Sequence, residues 1–116
     1  MPRAYKLYLE DILRALDRID ILMADREEVA FTIEDVNVDG VLFNLITIGE
    51  AIKNIPEDVR KQMPDVRWRD IGRFRDRAVH HYFSLDMAIV WEIVTVHLPV
   101  LRTHVEALLR GFPSGG

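Results

Sequence analysis

Residues 68–82, WRDIGRFRDRAVHHY, combine the periodicity of an amphipathic helix with a high density of basic side chains. Apolar positions recur there at spacings of three and four, namely Trp68, Ile71, Phe74, Ala78, Val79 and Tyr82. This pattern predicts a helix from about Trp68 to Phe83. The polar sequence Ser84-Leu85-Asp86 then breaks the helix and caps the next one.

Helical patterns also precede this segment. A stripe of Leu9, Ile12, Leu13, Leu16, Ile19, Leu22 and Met23 predicts one amphipathic helix. The stretch 25–39 shows no clear period and is expected to be a connector with one short turn. A second helix is predicted from about Val38 to Ile55. Gly49 lies on its buried side, and because glycine costs about 1 kcal/mol against alanine inside a helix, it indicates close approach of another backbone.

Prolines delimit the remaining helices. Pro56 ends the second helix and starts a short one, which Pro64 closes. The last helix is predicted over residues 86–110, kinked or split at Pro99. The tail 111–116 is expected to be frayed.

These elements together define the predicted fold. No alternating strand pattern is present in the sequence. The prediction is therefore an all-α protein, a small antiparallel bundle of four main helices plus short turns. It forms a single domain over residues 1–116, with an ordered core at about residues 5–110.

Composition excludes several kinds of protein. The 116 residues include no cysteine, which excludes disulfides, thiolate catalysis, zinc knuckles and iron–sulfur clusters. No apolar run approaches the roughly 18 residues of a membrane span, and the N-terminal residues lack the apolar core of a signal peptide. We therefore expect a cytoplasmic protein that does not bind membranes.

The charge of the chain is unevenly distributed. The net charge of −4 argues against a nucleic-acid binder, which is usually basic. Residues 60–81, however, hold seven basic residues against three acidic ones, so this segment is +4 and the rest is −8. Six of the seven are arginines, which suit bidentate contact with phosphate. A charge cluster alone is also typical of a solvated helix face.

Residues 73–82 add titratable groups to this cluster, and together they can cleave RNA without a metal ion. A histidine can take the proton from a ribose 2′-OH near neutral pH. That oxygen attacks the adjacent phosphorus, an arginine stabilises the charge that develops, and a cyclic phosphate end results. The candidate residues are Arg73, Arg75, Asp76, Arg77, His80, His81 and Tyr82.

Helical geometry constrains how these groups can meet. Arg75 and His80 diverge by about 140° around a helix, whereas Arg75 and Tyr82 nearly align. Arg73, Asp76 and His80 share another face, so Asp76 can orient or charge the His80 ring. Arg75 and His80 can converge on one phosphate only where the helix end distorts or where two copies meet. We favour two copies, because a symmetric dimer places two such sets around one cleft.

Each candidate also has a simpler structural interpretation. His80 and His81 fit polar residues at a helix end that interact with terminal carbonyls. Tyr82 fits a core residue whose hydroxyl lies at the edge. His97 and His104 are expected to be partly buried packing residues, since no acid or further histidine completes a metal set. We therefore predict no metal site and no cofactor.

Four blocks of sequence, in order over about residues 5–110, resemble the HepT-like branch of the HEPN superfamily. The arrangement Arg75, four residues, His80, one residue, Tyr82 is similar to the signature of that branch. The other blocks are IGEAIK at 48–53, similar to its Gly-Glu-Ala-x-Lys block, WRDI at 68–71, and VWEI at 90–93 with Leu98-Pro99.

The resemblance implies a function and roles for individual residues. Proteins of this branch are helical dimers that act as toxin ribonucleases and pair with a small nucleotidyltransferase antitoxin of the MNT type. By this resemblance Arg75 and His80 are the catalytic pair, with Arg73, Asp76 and His81 in supporting positions. Tyr82 is the residue that the antitoxin modifies with AMP, which silences the toxin. Asp76 stands where many relatives have asparagine, and it adds negative charge near the scissile phosphate.

Three classes of function therefore stay open. The first is a metal-independent RNA-cleaving toxin that uses Arg75 and His80. The second is a non-catalytic subunit that binds nucleotide or the transferase partner, and the third is a bare helical dimerisation module. Loss of RNA cleavage in His80→Ala separates the first class from the others, and co-purification with a transferase separates the second from the third.

Overall fold

The computed structural model describes residues 4–112, and all regular secondary structure in that range is helical. The all-α prediction is confirmed. The α-helices are α1 (Tyr5–Met23), α2 (Val36–Lys53), α3 (Glu57–Lys61), α4 (Trp68–His80), α5 (Met87–Glu92) and α6 (Leu98–Arg110). Two short 3-10 helices, Glu28–Ala30 and Tyr82–Ser84, lie in the connections.

The main helices pack as antiparallel neighbours, with α1 on α2, α2 on α4, and α6 on α1. The start of α1 meets the chain just after α6, where the rings of Tyr5 and Phe112 lie 5.2 Å apart, edge to face. Phe112 belongs to the tail that was expected to be frayed, and residues 113–116 of that tail lie outside the described residues. Further along, Arg102 of α6 pairs with Asp17 and Asp20 of α1.

The predicted apolar stripes form one core. Leu9, Ile12, Leu16 and Ile19 of α1 are buried, as are Trp68, Ile71, Phe74 and Ala78 of α4. Burial of a large aliphatic or aromatic side chain contributes about 1.5–3 kcal/mol, so these stripes hold α1 and α4 on the two sides of α2. No helix among residues 4–112 is long and apolar enough to cross a membrane.

A capping residue fixes where α2 begins. The Asp35 side chain accepts a hydrogen bond from the backbone N–H of Asn37 at 2.8 Å and a second one from Arg26 at 2.6 Å. These bonds hold the pKa of Asp35 below its usual value, the Asn37 bond having the larger effect. The cap places the next turn of α2, which carries Asp39, at the end of the bundle where α4 stops.

Gly49 is the point of closest approach between α2 and α4. A Cβ atom at this position would lie 2.4 Å from the Cβ of Arg75 and 3.1 Å from the carbonyl oxygen of Ile71. Contacts below 3 Å are not tolerated without movement of the backbone. The prediction of a close backbone approach at Gly49 is therefore confirmed, and the neighbour is the helix that carries Arg75.

The C-terminal end of α4 differs from the prediction. The helix ends at His80 and not near Phe83, because His81 leaves helical geometry at φ −137° and ψ 43°. Tyr82 then begins a 3-10 helix. The predicted alignment of Arg75 and Tyr82 on one helical face is therefore wrong. Val79, which was assigned to the apolar side, is also half exposed.

The last helix carries a π-helical turn at Ile93–His97, between α5 and α6 and just before Pro99. Its regular hydrogen bonding is thus interrupted near the predicted place, but helical geometry continues from Met87 to Arg110 and the helix is not split in two. The connector between α1 and α2 contains the predicted short turn at Glu28–Ala30. It also contains an unpredicted core residue, Phe31, whose ring packs edge-on against Trp91 at 5.4 Å.

Candidate active site

Arg75 lies in the contact between α2 and α4 and faces two carboxylates. Its Nε atom is 2.9 Å from Glu50 Oε2, an ion pair without hydrogen-bond geometry, and its Nη1 atom donates to Asp76 Oδ1 at 3.1 Å. The side chain is 29% exposed. Because Gly49 lets α2 approach the Cβ of Arg75, the guanidinium is fixed in place and remains open to solvent on one side.

Asp76 bridges the same two helices. It accepts a hydrogen bond from Lys53 of α2 as well as from Arg75. The Lys53 bond, followed by the Arg75 bond, holds the pKa of Asp76 below its usual value. The carboxylate is therefore ionised and neutralised by two cations. The suggested interaction of Asp76 with the His80 ring stays a prediction.

His80 and His81 lie at the exposed C-terminal end of α4. His80 is the last residue of the helix, and the His81 N–H donates to the carbonyl oxygen of Arg77 at 2.7 Å. Both side chains are exposed. An exposed imidazole can exchange protons with solvent and reach a substrate that approaches the helix end.

Tyr82 is tied to the start of α2. Its hydroxyl donates a hydrogen bond of 2.6 Å to Asp39 Oδ1, across 43 residues of sequence. Partial burial of the phenol, together with the hydrogen bond and negative charge of Asp39, raises the pKa of Tyr82 to about 12. The ring packs edge-on against Phe83, with centroids 5.2 Å apart. The hydroxyl is thus held in one place at the surface.

The structure brings only part of the predicted site together in one chain. Arg75 and Asp76 are in contact, whereas the regular helix up to His80 separates Arg75 from His80 by about 140° and about 7.5 Å along the axis. Arg73 is exposed on the side of α4 away from α2, where it lines a groove with Arg77 and His97. The composite dimeric site stays a prediction.

Three residues of this region were not assigned a role from sequence. Glu50, whose Oε2 atom lies 2.9 Å from the Nε atom of Arg75, was named only within the IGEAIK block. Lys53 was quoted only within the IGEAIK block, although its position three residues after Glu50 places it on the same face of α2. Asp39 carried no sequence signal, because its contact with Tyr82 depends on tertiary structure. In residues 4–112 no three histidine, aspartate or glutamate side chains are grouped to hold a metal ion.

Comparison with known proteins identifies the family. Residues 12–108 match the model of the family described as "Ribonuclease HepT-like", so the chain belongs to the HepT-like ribonuclease family. It is 35% identical over 110 residues to "Probable ribonuclease HepT" of Thermococcus cleftensis, covering 95% of this chain and 100% of that protein. It is 32% identical over 111 residues to "Putative RNase MJ0127" of Methanocaldococcus jannaschii, covering 95% and 92%. No solved structure matches the chain.

Proposed function

We propose that this protein is a toxin endoribonuclease that cleaves RNA without a metal ion. The observation that carries the proposal is the placement of Arg75 and His80, within a ribonuclease family, on one helix. Arg75 is fixed between α2 and α4 by Glu50 and Asp76. His80 ends that helix with its ring exposed to solvent.

The proposed mechanism uses these two side chains. His80 takes the proton of the ribose 2′-OH, and the oxygen attacks the adjacent phosphorus. Arg75 donates N–H groups to the non-bridging phosphate oxygens as charge develops on them. The bond to the 5′-oxygen of the next nucleotide breaks, that oxygen takes a proton from water, and the protonated His80 returns its proton to solvent. The products are a cyclic 2′,3′-phosphate and a free 5′-hydroxyl.

A second copy of the chain would bring an Arg75 and a His80 side chain together at one phosphate group. Since α4 is regular through His80, the two side chains of one chain point in different directions. In a twofold-symmetric dimer, Arg75 of one chain can face His80 of the other, and the symmetry creates two such pairs. We expect sedimentation at micromolar concentration to show a dimer, and a stable 13.5 kDa monomer would contradict the composite site.

Cleavage of a labelled RNA in excess EDTA tests the activity. We expect the wild-type protein to cut and His80→Ala to lose at least about 100-fold in rate, the usual contribution of a general base. His81→Ala is the neighbouring variant, for which we expect a smaller loss. Strict dependence on added magnesium, or a larger loss in His81→Ala than in His80→Ala, would reject this mechanism.

Mixing two inactive variants tests the composite site. Arg75→Ala and His80→Ala are combined and allowed to exchange subunits. Random exchange makes half of the dimers mixed, and each mixed dimer has one intact pair, so we expect recovery of about a quarter of the wild-type activity. If subunit exchange is demonstrated and RNA cleavage does not return, the Arg75 and His80 of a working pair belong to the same chain.

We further propose that an MNT-type nucleotidyltransferase antitoxin silences the protein by transferring AMP to Tyr82. The hydroxyl that would be modified lies at the surface, two residues beyond His80. The added phosphate would compete with RNA for arginines, and the base would obstruct the approach to the helix end. A gain of one AMP in intact mass, absent in Tyr82→Phe, is the expected result after incubation with transferase and ATP.

A non-catalytic subunit that binds nucleotide or the transferase is the second candidate. It is favoured by the two carboxylates, Glu50 and Asp76, which already neutralise Arg75. RNA would have to compete with both of them. Co-purification with the transferase, together with no RNA cleavage by the wild-type protein, would support this alternative.

A further inference from the structure

We propose that Asp39 is the proton acceptor and the positioning group for adenylylation of Tyr82. This inference rests on the proposed silencing reaction and adds a residue of this chain to its chemistry. It starts from the 2.6 Å hydrogen bond that the Tyr82 hydroxyl donates to Asp39 Oδ1, a contact with the oxygen atom that reacts.

The local geometry holds both groups in place. Asp39 lies one turn into α2, whose first residue is fixed by the Asp35 cap. Tyr82 begins the 3-10 helix that follows α4, and its ring packs on Phe83. One lone pair of the phenol oxygen points away from the hydrogen bond and is available to attack, because the O–H is directed at Asp39.

The surface around this bond leaves room for a reactant. Asp39 is exposed, and Val36 and Phe43 lie three residues before it and four residues after it on the same face of α2. Both of these apolar side chains are largely exposed, as is Phe83 beside Tyr82. The Tyr82–Asp39 hydrogen bond thus lies at the exposed surface, on the side from which a partner protein would present a nucleotide.

An acceptor is needed because the phenol does not ionise by itself near neutral pH. With the pKa of Tyr82 at about 12, the free phenolate is a negligible fraction at pH 7. The tyrosine must lose its proton during the attack, and general-base catalysis of such a transfer is typically worth about 10²–10⁴-fold. The charged group that acts on the Tyr82 pKa is Asp39, and His80 and His81 are the titratable neighbours along the chain.

The Tyr82 oxygen forms a bond to the α-phosphorus of ATP, which the transferase supplies, and the bond from that phosphorus to the β-phosphate oxygen breaks. The O–H proton passes to the Asp39 carboxylate and then to water. The products are the tyrosine–AMP phosphodiester and pyrophosphate, and no electrons are exchanged with an oxidant.

The test compares Asp39→Asn with the wild-type protein. Asparagine keeps the size and can still accept the Tyr82 hydrogen bond, but it does not take up the proton. With transferase and ATP present in excess, we expect the rate of AMP gain, followed by intact mass, to fall about 100-fold or more. Asp58→Asn, which changes an exposed acid of α3, is the matched control and should react at the wild-type rate.

Two further readouts separate proton transfer from a structural role. The residual rate of Asp39→Asn should rise about tenfold per pH unit, because it then depends on the phenolate, while the wild-type rate stays nearly flat. In ultraviolet titrations, subtraction of the Tyr82→Phe curve isolates Tyr82. It should titrate near 12 in the wild type and at lower pH in Asp39→Asn.

Each outcome has a distinct meaning. If the wild-type protein gains AMP and Asp39→Asn gains it equally fast, the role of Asp39 is wrong and the silencing reaction stands. If the two rates differ but share one pH dependence, Asp39 does not accept the proton. If the wild-type protein gains no AMP, the silencing reaction itself is wrong and this inference is wrong with it.

Discussion

Arg75 and His80, the proposed catalytic pair, differ in how firmly the fold holds their side chains. Arg75 lies in the helix contact, with Glu50 and Asp76 on its guanidinium and α2 packed against its Cβ. His80 ends α4 in solvent, and the chain that follows it is tied back by the bond from Tyr82 to Asp39. Arg75, the proposed phosphate-binding group, is thus preorganised between two helices, whereas His80, the proposed proton-transfer group, is exposed at the helix end and Tyr82 is held by its hydrogen bond to Asp39.

Arg75 should therefore be the least replaceable residue of the site. We expect Arg75→Ala to lower the rate of RNA cleavage by at least about 100-fold, the usual cost of removing one transition-state donor. Arg75→Lys should also be strongly impaired, since one ammonium cannot present the planar fork of a guanidinium. Helical circular dichroism should be unchanged in both.

Arg18→Ala is the control for the arginine variants. It removes an exposed arginine of α1 and should cut at nearly the wild-type rate. Equal losses in Arg18→Ala and Arg75→Ala would indicate a general effect of positive charge on RNA binding rather than a fixed catalytic group.

A pair of glycine substitutions tests the packing that fixes Arg75. In Gly49→Ala the new Cβ would lie 2.4 Å from the Arg75 Cβ, so we expect a loss of about 1–3 kcal/mol in the free energy of unfolding. Gly72→Ala adds a Cβ with no atom within 4 Å and should stabilise α4 by about 0.5–1 kcal/mol. Urea unfolding measures both, and equal effects would contradict the close approach.

The hydrogen bond between Tyr82 and Asp39 should contribute little to the free energy of unfolding, whereas the Tyr82 hydroxyl should be essential for silencing. Tyr82→Phe removes one hydrogen bond to Asp39, a loss of about 1 kcal/mol, and should still cleave RNA because the proposed chemistry does not use the hydroxyl. It should escape silencing by the transferase. A Tyr82→Phe protein that cannot cut RNA would make the hydroxyl part of the catalytic site.

The smallest expected effect is the pH dependence of stability from Asp76. Its pKa is lower in the folded chain than the ordinary 3.8, so its contribution is present above about pH 3.8 and is lost as the pH falls through the folded value. Asp76→Asn should show less loss of stability on acidification than the wild type. Because the carboxylate is exposed, thermal unfolding at several pH values should show only a small difference.

Sequence periodicity predicts much of this molecule and fails at identifiable points. The stripes of α1 and α4 specify the all-helical fold because burial repeats every three to four residues. Phe31 is buried in a connector without a period, since its contact with Trp91 comes from a distant helix. No local pattern predicted that contact.

In the candidate site, too, some features follow from local sequence spacing and others depend on tertiary contacts. The spacing of Arg75, His80 and Tyr82 places the candidate residues at the end of α4 and just beyond it, a site that stays a prediction, whereas the close helix contact that Gly49 indicated is confirmed. The end of α4 was placed too late, because the apolar pattern continues through Tyr82 while the backbone turns at His81. The partner of Tyr82 is 43 residues away, a distance over which helical spacing predicts nothing.

The π-helical turn at Ile93–His97 holds about one residue more than an α-helical turn does. Removal of one residue there would convert the wide turn into an ordinary helical one, while α5 and α6 keep nearly the same rotation about their axis. Leu101 and Val105 would stay in the core, and Arg102 would stay beside Asp17 and Asp20 of α1. Removal of one residue from the regular part of α6 would instead turn every later side chain by about 100°. The wide turn thus gives the C-terminal helix a residue that it can lose without a change of phase.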